Sequence, residues 1–305
     1  EEELHPDTWW DGDVGTFTRP ANTEYIVPNI VHFVRIGNRH LSFVEVACIR
    51  AAWLRQQPDV LMIHCDNCSA TLNSPLWRLV EDIPSISLMK MTCPTEIFGV
   101  KFSSVQHQSD VVRALVLMKY GGIYLDSDTY MVKNINCLRR YEMSLSWPLG
   151  DTVGVQVLVA HKNARYLRLW YGSYRHYRPD LWYWNAGDLP TKKFLSVKPD
   201  LVHRVTHDFI TNEFLVAQVF LKCDYSWRNY SAIHLETRHR KRIAASDYKR
   251  YGPLRLDTIS NYDRNFGSDD PVDVCSVPLG LGQKGLKIPG GLSHHPLDYS
   301  NHGCS

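Results

Sequence analysis

Tyr120-Gly121-Gly122-Ile123-Tyr124-Leu125-Asp126-Ser127-Asp128 is the stretch that decides the fold. Its two glycines let the backbone bend sharply. Ile123 to Leu125 is a short apolar run that reads as a strand, and it ends directly on two carboxylates. Upstream, residues 109–119 carry apolar side chains at helical spacing, and Gly121 fits the C-terminal cap of that helix. A helix, a glycine turn and a short strand with a polar end are the parts of an open α/β sheet. Such sheets bind ligands beyond the carboxyl ends of their strands, which is where the two aspartates fall.

Working outward, residues 26–36 are rich in β-branched side chains and read as a first strand entered through Pro28. Ser42-Phe43-Val44-Glu45 fits a capping box, opening a helix that continues to about residue 55. Pro58 ends it, and residues 60–64 form a second strand. A short helix at 76–80 and a strand at 86–89 follow. This alternation predicts a mostly parallel, Rossmann-like sheet with helices on both faces. Further strands are expected at 143–147, 153–160 and 232–235, and helices at 164–174 and 213–221. Residues 175–205 read as irregular, and the Gly, Pro, Asp and Ser content beyond about 245 predicts long loops. The chain then divides into a lead-in at 1–24, an α/β domain at 25–245 and a loop-rich continuation of it at 246–305.

The bulk properties are those of an ordinary globular domain: 305 residues, 44% hydrophobic and 22% charged. A formal net charge of +2 gives no bulk attraction to nucleic acid. No run reaches the roughly 18 apolar residues of a membrane span, and the acidic start Glu1-Glu2-Glu3 does not read as a signal sequence. The basic run Arg238-His239-Arg240-Lys241-Arg242 is either a solvated face or a patch beside ligand phosphates. Eight cysteines permit full disulfide pairing. Cys65-Asp66-Asn67-Cys68 has no second Cys or His pair at zinc spacing, so disulfide partners or buried thiols are expected there rather than a metal site. Asn67-Cys68-Ser69 and Asn229-Tyr230-Ser231 are N-glycosylation sequons. Together with the cysteines they point to a secretory lumen.

Asp126 and Asp128 stand two apart, so in an extended segment they share one face. Two carboxylates that close repel unless a cation lies between them. Oxygen ligands suit a hard divalent ion, magnesium or manganese, and such an ion can hold a diphosphate as it leaves. A bare Asp-x-Asp more often just caps a turn at a strand end. Here Asp110 and Arg113 add a charged pair on one face of the preceding helix.

The whole pattern, Ser109-Asp110-x-x-Arg113-x-x-x-Leu117-x-x-Tyr120-Gly121-Gly122-Ile123-Tyr124-Leu125-Asp126-x-Asp128, closely resembles the sugar-transferring Asp-x-Asp signature of family 32 glycosyltransferases. That group includes α-1,4-galactosyl- and α-1,4-N-acetylglucosaminyltransferases, and the large clostridial glucosylating toxins carry a related pattern. Ile26-Val27-Pro28-Asn29-Ile30-Val31-His32-Phe33 looks like the family's first strand, and Ala232-Ile233-His234-Leu235 like a late strand containing His. The resemblance spans roughly residues 25 to 240 and is strongest at its centre.

It implies a GT-A fold of the α/β class, a UDP-sugar donor, a manganese ion (or magnesium), retention of anomeric configuration and a glycan or glycoconjugate acceptor. Asp126 and Asp128 would hold metal and diphosphate, with His234 as third ligand. Asp110 and Arg113 would bind donor-sugar hydroxyls; Gly122, Tyr124 and Ser127 would line the same pocket; His32 and Phe33 would lie near the uridine. Asn185 or Asp188 would sit opposite the donor sugar. Trp182, Tyr183 and Trp184 would stack on an acceptor ring or simply pack in the core. Enzymes that this chain resembles are commonly Golgi proteins with an N-terminal anchor. None is visible here, so an anchor removed from a lumenal domain, or secretion, is expected. Two other readings compete. One is a non-catalytic nucleotide-sugar or glycan-binding module on the same fold. The other is an aspartyl phosphatase, whose pattern Tyr130 does not fit.

Overall fold

Ser42 and Glu45 open the first helix as their spacing predicts. The Ser42 hydroxyl accepts from the Glu45 amide at 3.2 Å, and the Glu45 carboxylate accepts from the Ser42 amide at 2.8 Å. This reciprocal cap satisfies two of the helix's free amides. The computed structural model describes residues 23–222, 226–257 and 259. In chain order it contains β1 (Ile30–Arg35), α1 (Phe43–Gln56), β2 (Val60–Cys65), α2 (Cys68–Leu72), β3 (Ile86–Lys90), β4 (Glu96–Ile97), β5 (Val100–Lys101), α3 (Val105–Tyr120), β6 (Gly122–Leu125) and β7 (Thr129–Met131). Then come β8 (Met143–Ser146), β9 (Gly154–Ala160), α4 (Arg165–Ser173), β10 (His203–Val205), β11 (Phe209–Ile210), α5 (Glu213–Leu221), β12 (Ala232–His234), α6 (Arg240–Ile243) and α7 (Ala245–Tyr251).

The main sheet has seven strands in the order β10-β8-β9-β6-β1-β2-β3. β3, β2, β1 and β6 run parallel, while β9 is antiparallel to both β6 and β8, so the sheet is mixed. Side-chain alternation divides the core in two. Val34, Tyr124, Leu158 and Ala160 face the side covered by α3 and α4, with Val111, Leu117 and Trp170. Val31, Phe33, Leu61, Ile63, Ile123 and Leu125 face α1, with Val46, Ile49 and Ala52. Helices therefore cover both faces, as expected for the α/β class. A three-stranded sheet, β11-β12-β7, lies beyond the end of β6. It sets β12 antiparallel to β7, with His234 opposite Thr129.

Two expectations need correction. Residues 175–205 are not wholly irregular: wide π-type turns occupy Trp184–Asp188 and Thr191–Leu195, and β10 closes one edge of the main sheet. Three residues are too few to show a strand period. Long loops do not begin at 245, because α7 runs to Tyr251. It is held by Arg240, which is buried, ion-paired to Asp247 and donates to the Gly252 carbonyl at 2.6 Å. The cysteine count permits full pairing, and the described cysteines are of both kinds. Cys65 and Cys68 are joined in a disulfide and Cys137 is disulfide-bonded, but Cys48 and Cys93 are free thiols. Most of the 1–24 lead-in, most of the stretch beyond 257, and Cys223, Cys275 and Cys304 lie outside the described residues.

Candidate active site

The helix α3 ends where Gly121 turns left-handed, φ +66°, and its amide donates to the Leu117 carbonyl at 2.8 Å. Gly122 follows with φ +114°, again a backbone that L side chains rarely adopt. β6 then runs four fully buried residues to Leu125. The next residues, Asp126 to Asp128, emerge on the floor of a cavity of about 860 Å³.

Asp126 is held from two sides. The Tyr124 hydroxyl donates to its Oδ1 at 2.7 Å, and Arg113 Nη1 lies 3.2 Å from the same oxygen. Arg113 is nearly inaccessible; it donates to the Val155 carbonyl at 2.7 Å and pairs with Asp110 at 3.0 Å. Its guanidinium stands 4.7 Å from the Tyr124 ring centroid, a cation–π contact. Burial pushes the Asp110 carboxyl up to about 7, with Arg113 opposing and Asp126 reinforcing the shift. Near neutral pH Asp110 can thus donate as well as accept. Burial works against the Arg113 charge, but Asp126, Tyr124 and Asp110 outweigh it and raise its pKa.

Asp128 is anchored by the β12 side. Its Oδ2 accepts from the Thr237 amide and hydroxyl, both at 3.0 Å, and its backbone carbonyl accepts from the Leu235 amide at 2.9 Å. His234 Nε2 lies 3.2 Å from Asp128 Oδ1 and 3.8 Å from Asp126 Oδ2. Burial alone would ionise neither partner. Their attraction overcomes it, drawing the Asp128 carboxyl well below its ordinary range and the His234 ring up to about 8. His234 Nδ1 is buried without a hydrogen bond, with Glu236 Oε1 4.0 Å away.

The structure brings together Asp110, Arg113, Tyr124, Asp126, Ser127, Asp128 and His234, all lining one cavity. Two carboxylates and an imidazole fit a divalent cation that prefers oxygen but tolerates nitrogen. A second group, Glu213, Glu236 and His239, has ligand atoms within 4.8 Å of one another at the rim. There Arg242 already engages the Glu213 carboxylate at 2.7 Å. The basic run divides: Arg238 and His239 line the cavity, whereas Arg240 is buried against α7.

His32 and Phe33 do not reach the cavity. β1 pairs with β6 at His32↔Tyr124, two residues short of the level of Asp126. Val34 and Ile36, farther along the chain, line the cavity instead. Phe33 is core on the α1 face. His32 is fully buried; its Nε2 donates to the Gly121 carbonyl at 2.8 Å, which leaves Nδ1 to accept from His64 Nε2 at 3.0 Å. Gly122 lies under this pair and does not line the cavity; a Cβ there would meet the Ile30 carbonyl oxygen at 2.5 Å and His32 Nε2 at 2.9 Å. Trp184, Asn185 and Asp188 are also outside the lining. Asn185 is buried and accepts from the Arg178 amide at 2.9 Å, Asp188 pairs with Lys192 at 3.2 Å, and Trp184 packs on the core beneath Lys192. The π-type turns rotate these three away and present Trp182 and Tyr183 to the cavity; Trp182 is 57% exposed. The sequence reading missed Gln156, His107 and Thr237. All three depend on distant elements meeting and carry no local signal.

The two hydrogen-bonded histidines make a measurable prediction. Burial lowers His32 to about 4 and His64 to about 3, the latter with a smaller push from His32. Below the ordinary value of 6.5 the unfolded chain takes up protons that the folded pair refuses. Stability is therefore complete above 6.5 and falls as pH drops toward 4, by up to ~1.4 kcal/mol per pH unit for each ring. Urea unfolding between pH 7 and 4.5 should show a shallower slope in His64→Gln than in the parent chain. Parallel curves would refute the assignment.

Residues 44–145 match the family described as a glycosyltransferase sugar-binding region containing a DXD motif. The match begins within α1, ends in β8 and includes Asp110, Arg113, Asp126 and Asp128. The curated protein "Glucan organizing enzyme 1" of Cryptococcus neoformans var. grubii serotype A is 25% identical over 183 residues, 54% of this chain and 48% of the relative. The chain therefore spans about half the length of that relative. Among solved structures, "PaToxG Glycosyltransferase" aligns with a TM-score of 0.42 and 17% identity, over 57% of this chain and 70% of that one. A glycosyltransferase involved in the glycosylation of the major capsid of PBCV-1 aligns with a TM-score of 0.37 and 10% identity, over 73% and 98%. With the aspartates of that region gathered on one cavity floor, residues 44–145 of this chain are similar to the DXD-containing sugar-binding region of glycosyltransferases, the resemblance to family 32 that the sequence carries.

Proposed function

We propose that the chain moves a hexose or N-acetylhexosamine from a UDP-sugar to a hydroxyl of a glycan or glycoconjugate, with retention of anomeric configuration. The observation that carries this reading is the convergence of Asp126, Asp128 and His234 on the cavity floor, with His234 Nε2 within 3.8 Å of both carboxylates. These three residues would hold the divalent ion. When bound, it neutralises charge on the departing diphosphate.

The remaining chemistry belongs to the protein. Tyr124 and Arg113 fix the Asp126 carboxylate, and Thr237 fixes Asp128, so neither has to reorganise as charge develops. Asp110, poised near neutrality, and Arg113 are the polar contacts for donor-sugar hydroxyls. The exposed face of Trp182, beside His107 at a ring distance of 5.7 Å, offers an apolar platform for an acceptor pyranose. The acceptor hydroxyl attacks from the side that the diphosphate leaves, and its proton passes to the leaving phosphate oxygen. The Cys65–Cys68 disulfide supports a secretory compartment, the Golgi lumen or outside the cell. Among the described residues no helix is long and apolar enough to cross a membrane.

A panel of UDP-sugars, assayed for UDP release with manganese, tests the reading. One donor should dominate. Chelation with EDTA should lower its turnover by about a hundredfold or more, and added manganese should restore it. Full turnover in EDTA would overturn the metal assignment, and a product of inverted configuration by proton NMR would overturn retention.

A further inference from the structure

We infer that the side-chain carboxamide of Gln156 is a hydrogen-bond acceptor for the transferred sugar, and so a determinant of donor choice. This rests on the donor reading above but goes beyond the aspartates. β6 and β9 are antiparallel with Leu125 opposite Val157 and Tyr124 opposite Leu158. The ladder continues one step, because the Asp126 amide donates to the Gln156 carbonyl at 3.0 Å. Asp126 and Gln156 are thus cross-strand neighbours on one face of the sheet. Both line the cavity.

Gln156 Oε1 is buried and has no hydrogen-bond partner among the described residues. Buried acceptors are rarely left so without reason. Donors on the same wall are committed elsewhere: Arg113 Nη1 to the Val155 carbonyl and Asp126, the Tyr124 hydroxyl to Asp126, and the Ser146 hydroxyl shares a hydrogen bond with Thr211 at 3.3 Å. The sequence also makes room for this amide. A Cβ on Gly154 would lie 2.7 Å from Gln156 Oε1 and 3.2 Å from Ser146 Cβ. No described residue supplies the partner and Gln156 lines the cavity, so the group that fits is one filling the cavity and carrying O–H or N–H. An ionised diphosphate carries neither. A sugar hydroxyl or acetamido N–H does, and so does a water held by the metal. The position beside Asp126, on the wall shared with Arg113 and its Val155 contact, favours the sugar.

The test uses the full chain and calorimetric titration with manganese plus UDP, and with manganese plus the UDP-sugar preferred in the panel above. Gln156→Met keeps the side-chain length and removes the acceptor. Its affinity for UDP should stay within about twofold. Its affinity for the UDP-sugar should fall about tenfold, with a matching rise in donor KM and a smaller change in kcat. Gly154→Ala, which displaces the amide without removing it, should shift donor affinity in the same direction. It also carries the test if Gln156→Met fails to fold. Unchanged donor affinity and KM in both variants overturn the inference while leaving the transferase reading intact. Equal weakening of UDP and UDP-sugar assigns the contact to metal-bound water and overturns the sugar assignment. A parent chain that binds no UDP-sugar overturns the donor reading itself, and the inference with it.

Discussion

Asp128→Asn is expected to lower sugar transfer on the order of a thousandfold, about 4 kcal/mol of transition-state stabilisation, while the chain stays folded. The reasoning starts from what the carboxylate touches. One oxygen accepts two hydrogen bonds from Thr237, and the other faces His234 at 3.2 Å. An asparagine oxygen can still accept from Thr237, so the local tie between β7 and β12 survives. What disappears is the negative charge. Asp126 cannot replace it, because its Oδ1 is already shared between Tyr124 and Arg113. The proposed cation site would keep one carboxylate of two, beside the neutral imidazole. Loss of activity should therefore accompany weaker manganese affinity, with a melting temperature within a few degrees of the parent. A variant within tenfold of parental activity would remove Asp128 from the mechanism. A variant that has simply unfolded would be exposed by its circular dichroism.

Much of this site was legible before any coordinates. Asp110 and Arg113 are three apart on a helix and Tyr124 and Asp126 two apart on a strand, so local periodicity alone places each pair on one face. Gly121 could be read as a cap because its chemistry is local as well. His234 was named through resemblance, but the geometry that delivers it, β12 paired with β7, was hidden: β7 has three residues, too few to show a period. His32 and Phe33, expected near a uridine, stand outside the cavity lining for a related reason. Sequence shows that a strand exists but not how far its carboxyl end stands above its neighbours, and that register is set by pairing across the sheet. On the sheet face that carries Tyr124 and then Asp126, β1 carries His32 and then Val34, so the cavity-lining position is Val34. Gln156 was invisible in another way. Its strand was read correctly, yet nothing in the sequence says that Oε1 lacks a partner. Trp184, Asn185 and Asp188 stand outside the cavity lining because residues 175–205 read as irregular, and a π-type turn there gives no period from which a facing could be argued.

Gly122→Ala is expected to destabilise the chain by about 3–5 kcal/mol. Two costs combine. At φ +114° an alanine is strained before any contact is counted. Its Cβ would also stand 2.5 Å from the Ile30 carbonyl oxygen and 2.9 Å from His32 Nε2. The first of these is backbone of the adjacent parallel strand and cannot swing aside. The second belongs to a ring fixed by the Gly121 carbonyl and His64. Relief therefore requires β6 to move away from β1, which carries Asp126 away from its partners four residues on. Gly121→Ala provides the comparison. It shares a positive φ, +66°, but its nearest contacts are at 3.1 Å, and one of them is the side-chain Cδ of Pro28. It should cost about 1–2 kcal/mol. Urea titration at pH 7.5, where the His32 and His64 rings are neutral in both folded and unfolded chains, measures the two without interference from the acid transition. If Gly122→Ala lost less than Gly121→Ala, the close packing of β6 on β1 would not be what holds the aspartates at their strand end.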